Sequence, residues 1–219
     1  MNTSDLAILI PARGGSKRIP NKNIALIGGK PLITYVISEA LMVSNSVYVS
    51  TNDPSIAKIA EEAGASIIDR PDNLCLDTSK SSEAVQHFLS LVKTKYFLLV
   101  QPTSPLLTAQ RIKSAASLLI EDEFDSVVSV CEKFSFNWSP NGEPINFDKA
   151  KRPRTQDAKH WYEENGAVYG TSSSRFLNTK MLWSGHIGFV KMTKAESVDI
   201  DDWDDMEMAD ALIRTRKLL

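Results

Sequence analysis

The sequence predicts an α/β protein built on a mainly parallel sheet flanked by helices, and three observations carry that reading. Strand-length apolar runs alternate with stretches of helical periodicity four times before residue 131, the pattern of a sheet wrapped by crossover helices. The first of these runs feeds directly into a Gly-Gly stretch, and open parallel sheets bind their ligands beyond the carboxyl ends of their strands. The chain has 219 residues, which fits a single domain, since roughly 100 to 200 residues per domain is usual.

Taken in order, Leu6–Pro11 (LAILIP) suits a buried strand, and it ends in ARGGSKRIPNKN, whose Pro20 excludes a continuous helix. Ile33, Val36, Ile37, Ala40 and Leu41 then recur with the period of an amphipathic helix, and Val47–Thr51 is the next strand. Asp53 and Pro54 read as N-cap and first-turn proline of a helix whose apolar face is Ile56, Ile59, Ala60 and Ala63, with Gly64 as its stop and 65–68 as the following strand. A helix carrying Val85, Phe88, Leu89 and Val92, the strand Tyr96–Val100, a helix with Ile112, Ala115, Ala116 and Leu119, and a strand at 126–130 continue the rhythm. From 131 to 162 it breaks. A structureless stretch of that length is improbable in a compact domain, so the segment reads as a projecting hairpin, lid or subunit-contact arm inside one domain spanning 1–219. Alternation resumes at 165–170 and 185–192, and Trp203, Met206, Ala209, Leu212 and Ile213 mark a closing helix. Within 165–170, Ala167 and Tyr169 stand two apart and are expected on one face.

Composition narrows the function. With 42% hydrophobic and 24% charged residues the chain is neither disordered, collagenous nor disulfide-stapled. Cys75 and Cys131 form no framework, which points to a reducing compartment. The chain lacks a basic segment followed by a long apolar one, so a soluble cytoplasmic protein with no membrane partner is expected. A net charge of -2 exerts no general pull on nucleic acid, and Lys149, Lys151, Arg152 and Arg154 sit in no aromatic-interleaved binding motif. The charge is nevertheless lopsided. Between residues 6 and 38 the charged residues are Arg13, Lys17, Arg18, Lys22 and Lys30, whereas from 196 to 210 all are acids. Either an anion site and a cation site or two solvated faces would produce this. His87, His160 and His186 have no partner at metal spacing and read as structural.

Gly14 and Gly15 let backbone N–H groups approach an anion, and Arg13, Lys17 and Lys22 can neutralise several phosphate charges. The pattern is neither GxxxxGKS/T nor GxGxxG, so the usual kinase, ATPase and dinucleotide readings lose support. Asp199 and Asp201 lie two apart, which in an extended segment turns both carboxylates to one side, where a hard ion such as Mg²⁺ takes one or two carboxylates plus phosphate oxygens. Asp204 and Asp205 read instead as acids at a helix entrance.

The string PARGGSKRIPNKN at 11–23 resembles the signature of the acylneuraminate cytidylyltransferases, enzymes that join a nonulosonic acid to CMP. QPTSPL at 101–106, Arg70 and Pro71 with 77–82, ENGA at 164–167 and VDID at 198–201 resemble further blocks of that family, in family order. The resemblance implies a Rossmann-like nucleotidyltransferase fold with a dimerisation arm, acting as a homodimer on CTP and a sialic-acid-type sugar with Mg²⁺ or Mn²⁺. It implies catalytic roles for Arg13, Lys17 and Lys22. Nucleotide contacts would come from Ala12, Arg13, Gly14, Ser16, Lys22, Asn23, Arg70 and Ser81, with Arg70 and Ser81 at cytosine and ribose. Gln101, Asn165, Gly166, Ala167 and Tyr169 would line the acceptor site, and Asp199 and Asp201 would hold the metal. N-acylneuraminate is the leading acceptor, with legionaminic and pseudaminic acids as alternatives, and a non-catalytic nucleotide-binding regulator is the competing class. Leu107 stands where the family usually has Arg, and no role is carried to it.

Overall fold

The computed structural model describes residues 4–158 and 160–216. Its elements are β1 (Leu6–Pro11), the strands β2 (Leu26–Ile27) and β3 (Lys30–Pro31), α1 (Leu32–Leu41), β4 (Val47–Thr51), α2 (Pro54–Glu62), β5 (Ser66–Asp69), α3 (Ser81–Leu91), β6 (Tyr96–Val100), α4 (Ala109–Ile120), β7 (Ser126–Lys133), β8 (Trp161–Ser172), α5 (Ser173–Thr179), β9 (Ile187–Met192) and α6 (Trp203–Arg216).

The expected mainly parallel sheet is present. It has seven strands in the order β5-β4-β1-β6-β8-β7-β9. All neighbours are parallel except β8, which runs antiparallel between β6 and β7. From β1 the chain winds outward through β4 and β5, then returns to place β6 on the other side of β1. The carboxyl ends of β1 and β6 therefore flank the point where strand order reverses, which is where a crevice opens in such sheets.

Strand alternation divides the core. Ile8, Ile10, Leu98 and Val100 pack with residues of α1, α2 and α4, while Ala7, Leu9, Phe97 and Leu99 pack with Phe88 of α3 and Phe176 of α5. Phe97 and Phe176 meet edge-on, centroids 5.7 Å apart, a favoured aromatic geometry. Leu107 is fully enclosed in the first of these layers, so the position is occupied by core packing and presents no side chain to solvent. Asp53 caps α2 as expected, accepting from the Ser55 and Ile56 amides at 2.8 and 3.2 Å.

Several elements differ from the sequence reading. The β2–β3 hairpin turns on Gly28 and Gly29, both at positive φ (55° and 84°), the conformation tight two-residue hairpins need. Helix α5 is seven residues long, too short to show a period. Strand pairing carries β7 to Lys133 and brings β8 back to Trp161, so both ends of the 131–162 segment belong to the sheet. Part of that excursion packs on itself: Phe147 lies edge-on to Phe136 at 5.1 Å and to Trp138 at 5.0 Å, with the Arg152 guanidinium 4.2 Å above the Phe136 ring.

Ala167 and Tyr169 do not share a face as alternation predicted. Ala167 belongs to the layer under α1 and α4, and Tyr169 to the other. Gly166 at φ 75° and a register shift opposite, between Val128 and Val130, break the pleat, as a bulge does. Among the described residues no helix is long and apolar enough to cross a membrane.

Candidate active site

The loop after β1 is held from below. Ala12 is buried and its amide donates to the Ser50 carbonyl at 2.9 Å. Buried Asn23 donates from Nδ2 to the Arg13 carbonyl at 3.0 Å, closing the loop on itself, and Ile19 is a fully buried anchor. The Gly14 amide donates to Asn52 Oδ1 at 3.0 Å. A Cβ at Gly14 would lie only 3.0 Å from an Asp53 carboxylate oxygen, so a larger residue there would press on the side chain that caps α2.

These ties present Arg13, Ser16, Lys17, Lys22 and Asn23 to a cavity of about 380 Å³, which Gln101 and Thr103 line from the turn after β6, with Asp77 and Asp201 completing it. Every cation here has an internal anion. Asp77 Oδ1 accepts from Arg13 Nη2 at 2.8 Å, and Lys17 pairs with its other oxygen. The hydrogen bonds from Lys17 and then Arg13 hold the Asp77 carboxyl below its ordinary range. Arg18 lies 3.4 Å from Asp201 and Lys22 3.5 Å.

The acidic segment is docked onto the same turn. The Ile200 amide donates to the Thr103 carbonyl at 2.9 Å and its side chain is fully buried, so the flanking Asp199 and Asp201 stand outward. Asp205 accepts from the Asp201 and Asp202 amides at 2.9 and 3.1 Å, and its own amide donates to Asp202 Oδ1 at 3.1 Å, a reciprocal cap that opens α6. Asp199 is exposed by area but hemmed in by the cleft walls. This crowding raises its carboxyl, a Thr103 hydrogen bond opposes the rise, and the nearby Asp201 charge adds to it.

Asp199 does not line the first cavity, which takes Asp201 alone of the acidic pair; it lines a second cavity of about 460 Å³ with Glu164, Asn165, Gly166 and Tyr169. Asn165 Nδ2 donates to Ser197 Oγ at 2.8 Å. The Tyr169 hydroxyl donates to Glu164, and burial, then that carboxylate, push the phenol well above its ordinary range. A third cavity of about 580 Å³ is walled by Lys80, Ser81, Gln101, Tyr169, Lys180 and Trp183. Gln101 thus borders the first and third spaces, and Tyr169 the second and third.

Ser81, expected at the nucleotide, lines the third cavity and not the first, and Ala12, Arg70 and Ala167 line none of the three. Ala12 and Ala167 are fully buried and offer only backbone. Arg70 is buried with Nε donating to Ser50 Oγ at 3.0 Å and Nη2 to the Ser50 carbonyl, and burial lowers its pKa. Conversely, Asp77, Thr103, Lys180 and Trp183 reach the cleft without having been assigned roles. Asp77 and Thr103 lay inside blocks already marked by the resemblance, whereas no motif marks Lys180 or Trp183.

Residues 7–217 match the family described as cytidylyltransferase. The chain is 36% identical, over 90% of its length, to N-acylneuraminate cytidylyltransferase A of Danio rerio, covering 49% of that protein. It therefore spans about half the length of such relatives. It is 30% identical, over 94% of its length, to pseudaminic acid cytidylyltransferase of Campylobacter jejuni, covering 95% of that protein. Its fold is shared with the solved structure of CMP:2-keto-3-deoxy-manno-octonic acid synthetase complexed with CTP, with a TM-score of 0.75 at 18% identity over 97% of this chain and 100% of that one. A match running from β1 to the end of α6, on this sheet and this cleft, makes the chain a member of the cytidylyltransferase family.

Proposed function

We propose that the chain transfers CMP from CTP to the hydroxyl of a nonulosonic, sialic-acid-type sugar, releasing pyrophosphate. The observation that carries this reading is the convergence of Arg13, Lys17 and Lys22 with Asp201 in one cavity at the strand-order reversal. The sugar oxygen forms a bond to the α-phosphorus as the bond to the bridging oxygen breaks, and negative charge gathers on phosphoryl oxygens and departing pyrophosphate. Such transfers depend on positioning and electrostatic stabilisation. Arg13 offers a planar fork and the lysines point charges for that purpose. A triphosphate entering the cavity must first displace Asp77 from Arg13 and Lys17. Ser16 and Asn23 flank the same cations, and Gly14 lies beside them. Gln101 and Tyr169 border the acceptor side, with Asn165 and Gly166 behind Tyr169.

Asp199 and Asp201 suit Mg²⁺ or Mn²⁺: both are hard oxygen donors, the charge of Asp201 is felt at Asp199, and phosphate oxygens and water would complete such an ion's shell. The ion supplies positive charge against the developing negative charge on phosphate. Arg70 and the 77–82 stretch are assigned to the cytosine end on the family resemblance, Arg70 through backbone or through the shape its buried side chain maintains, and the side chains of Lys80 and Ser81 in that stretch also border the third cavity, on the acceptor side. The chain is further proposed to be a cytoplasmic, single-domain homodimer joined through its 131–162 arm, with no nucleic-acid or membrane partner.

N-acylneuraminate is the leading acceptor, after the names of the more identical relatives. Pseudaminic acid is the second reading, supported by the relative matched over nearly its full length. Incubation with CTP, Mg²⁺ and each of N-acetylneuraminic, legionaminic and pseudaminic acids should yield one dominant CMP-sugar by mass. Absence of any CMP adduct from the whole panel overturns the proposal.

A further inference from the structure

The third cavity differs electrically from the nucleotide cavity beside it. In the nucleotide cavity Arg13, Lys17, Arg18 and Lys22 all pair with Asp77 or Asp201. The third cavity has two ammonium groups in its wall, Lys80 and Lys180, and no carboxylate lines it. Glu83 is adjacent in sequence, but its Oε2 accepts from the Lys80 backbone amide at 2.9 Å, and among the described residues no carboxylate pairs with either ammonium. The space is complementary to an anion that it does not itself contain.

Lys180 is also fixed at its base. It closes α5 in the left-handed conformation, φ 58°, with its amide donating to the Phe176 carbonyl at 2.7 Å, and Phe176 is fully buried against Phe97. Glycine or asparagine usually takes this position, so a lysine here accepts a backbone cost and sets a flexible cation on a rigid corner of the pocket.

Resting on the function proposed above, we propose that Lys180, assisted by Lys80, binds the carboxylate of the acceptor sugar acid. In a nonulosonic acid the carboxylate is attached to the carbon that bears the attacking hydroxyl. In-line attack therefore brings it within a few bonds of the α-phosphate, and like charges at such range repel. Cations on the acceptor side offset that repulsion. Gln101, bordering both spaces, lies on the boundary the hydroxyl must cross.

The test is calorimetric titration of the full chain, loaded with Mg²⁺ and a CTP analogue whose α–β bridging oxygen is methylene. The probes are N-acetylneuraminic, legionaminic and pseudaminic acids and the uncharged C1 amide of each. Wild type is expected to bind one acid at least about tenfold more tightly than its amide. Lys180→Met and Lys80→Met should each weaken the acid roughly tenfold and leave the amide within about twofold, while Lys180→Arg retains the acid. Equal binding of acid and amide by wild type, no binding of any acid, or a parallel loss of both probes in Lys180→Met and Lys80→Met overturns the assignment. The two proposals fail separately. Charge-selective binding without CMP-sugar formation from CTP refutes the proposed activity alone. CMP-sugar formation with an unchanged sugar KM in both methionine variants refutes the lysine assignment alone.

Discussion

Lys22 Nζ donates to the main-chain carbonyl of Ile200 at 2.6 Å, joining residues 178 positions apart. The basic front of the sequence and its acidic rear, which could have been two solvated faces, thus meet at one cleft. The bond also aims Lys22: its side chain is only 15% exposed and lies 3.5 Å from Asp201. Lys22→Met should lower kcat by about 10²-fold or more, the scale seen when one preorganised charge stabiliser is removed. It should cost only roughly 0.5 to 1.5 kcal/mol of stability, as for one hydrogen bond. Turnover assays and urea denaturation separate the two, and a stability loss with wild-type kcat would reduce Lys22 to a tether.

Arg70 yields a prediction of the opposite kind. Its guanidinium satisfies both Ser50 Oγ and the Ser50 carbonyl inside the protein, so Arg70→Met leaves buried acceptors unpaired. A loss of about 1 to 3 kcal/mol is expected, read as a lower denaturation midpoint at unchanged slope. A raised KM for CTP at wild-type stability would show instead that the arginine acts on the nucleotide directly.

That contrast marks what was legible in the sequence. The strands, the loop after β1 and the acidic segment before α6 were readable because each depends on local signals: an apolar run, a Gly-Gly pair, a two-residue spacing. The direction of Arg70 was not, because it is decided by a serine on a neighbouring strand. Lys180 and Trp183 were invisible for a related reason, since α5, which carries the chain to them, is too short to announce itself by periodicity. The separation of Ala167 from Tyr169 turned on one positive φ at Gly166, which neither periodicity nor composition reveals.

The turn that feeds the acidic segment is pH-sensitive in a defined sense. Glu196 is buried and receives Arg111 through Nε and Nη2, both at 3.0 Å, and the Thr193 amide at 2.8 Å. Burial alone would raise its carboxyl, but the bonds from Arg111 and Thr193 outweigh burial and hold it below the ordinary range. A carboxyl with a depressed folded pKa contributes stability that is complete above its unfolded value, about 4.3, and is lost as pH falls through the lower folded value. Glu196→Gln should therefore cost about 1.5 to 3 kcal/mol at neutral pH, with the gap to wild type closing below pH 4. Urea melts at several pH values check this, and a gap independent of pH would show that shape rather than charge is at work.

The arm predicts assembly. Phe134, Trp138 and Ile145 are 47%, 53% and 66% exposed even though neighbouring aromatics pack together, and exposed apolar patches of this kind mark contact surfaces. Light scattering at micromolar concentration should give a dimer mass, and Ile145→Asp should shift it toward monomer. A monomeric wild type with full activity would refute the assembly.

The acidic pair carries the most specific prediction. Asp199 and Asp201 flank the buried Ile200, so neither carboxylate supports the core, and Asp199 is raised in part by the charge of Asp201. Substitution of either by Asn keeps size and removes a charged oxygen ligand, so turnover should fall at least about tenfold, equivalent to roughly 1.4 kcal/mol of barrier. The dependence on Mg²⁺ concentration should move to higher metal. Asp204→Asn is the inert control, since an acid in the first turn of a helix contributes only about 0.3 to 1 kcal/mol to stability. Asp205→Asn is a sharper one. Asp205 accepts from the Asp201 and Asp202 amides, and an asparagine oxygen can still accept there, so loss of the charge should lower stability only slightly and leave the metal dependence in place. Initial rates against Mg²⁺ for all four variants, with circular dichroism to verify folding, decide the matter. If Asp199→Asn and Asp201→Asn both keep wild-type rates and metal dependence, the acids serve only the entrance of α6.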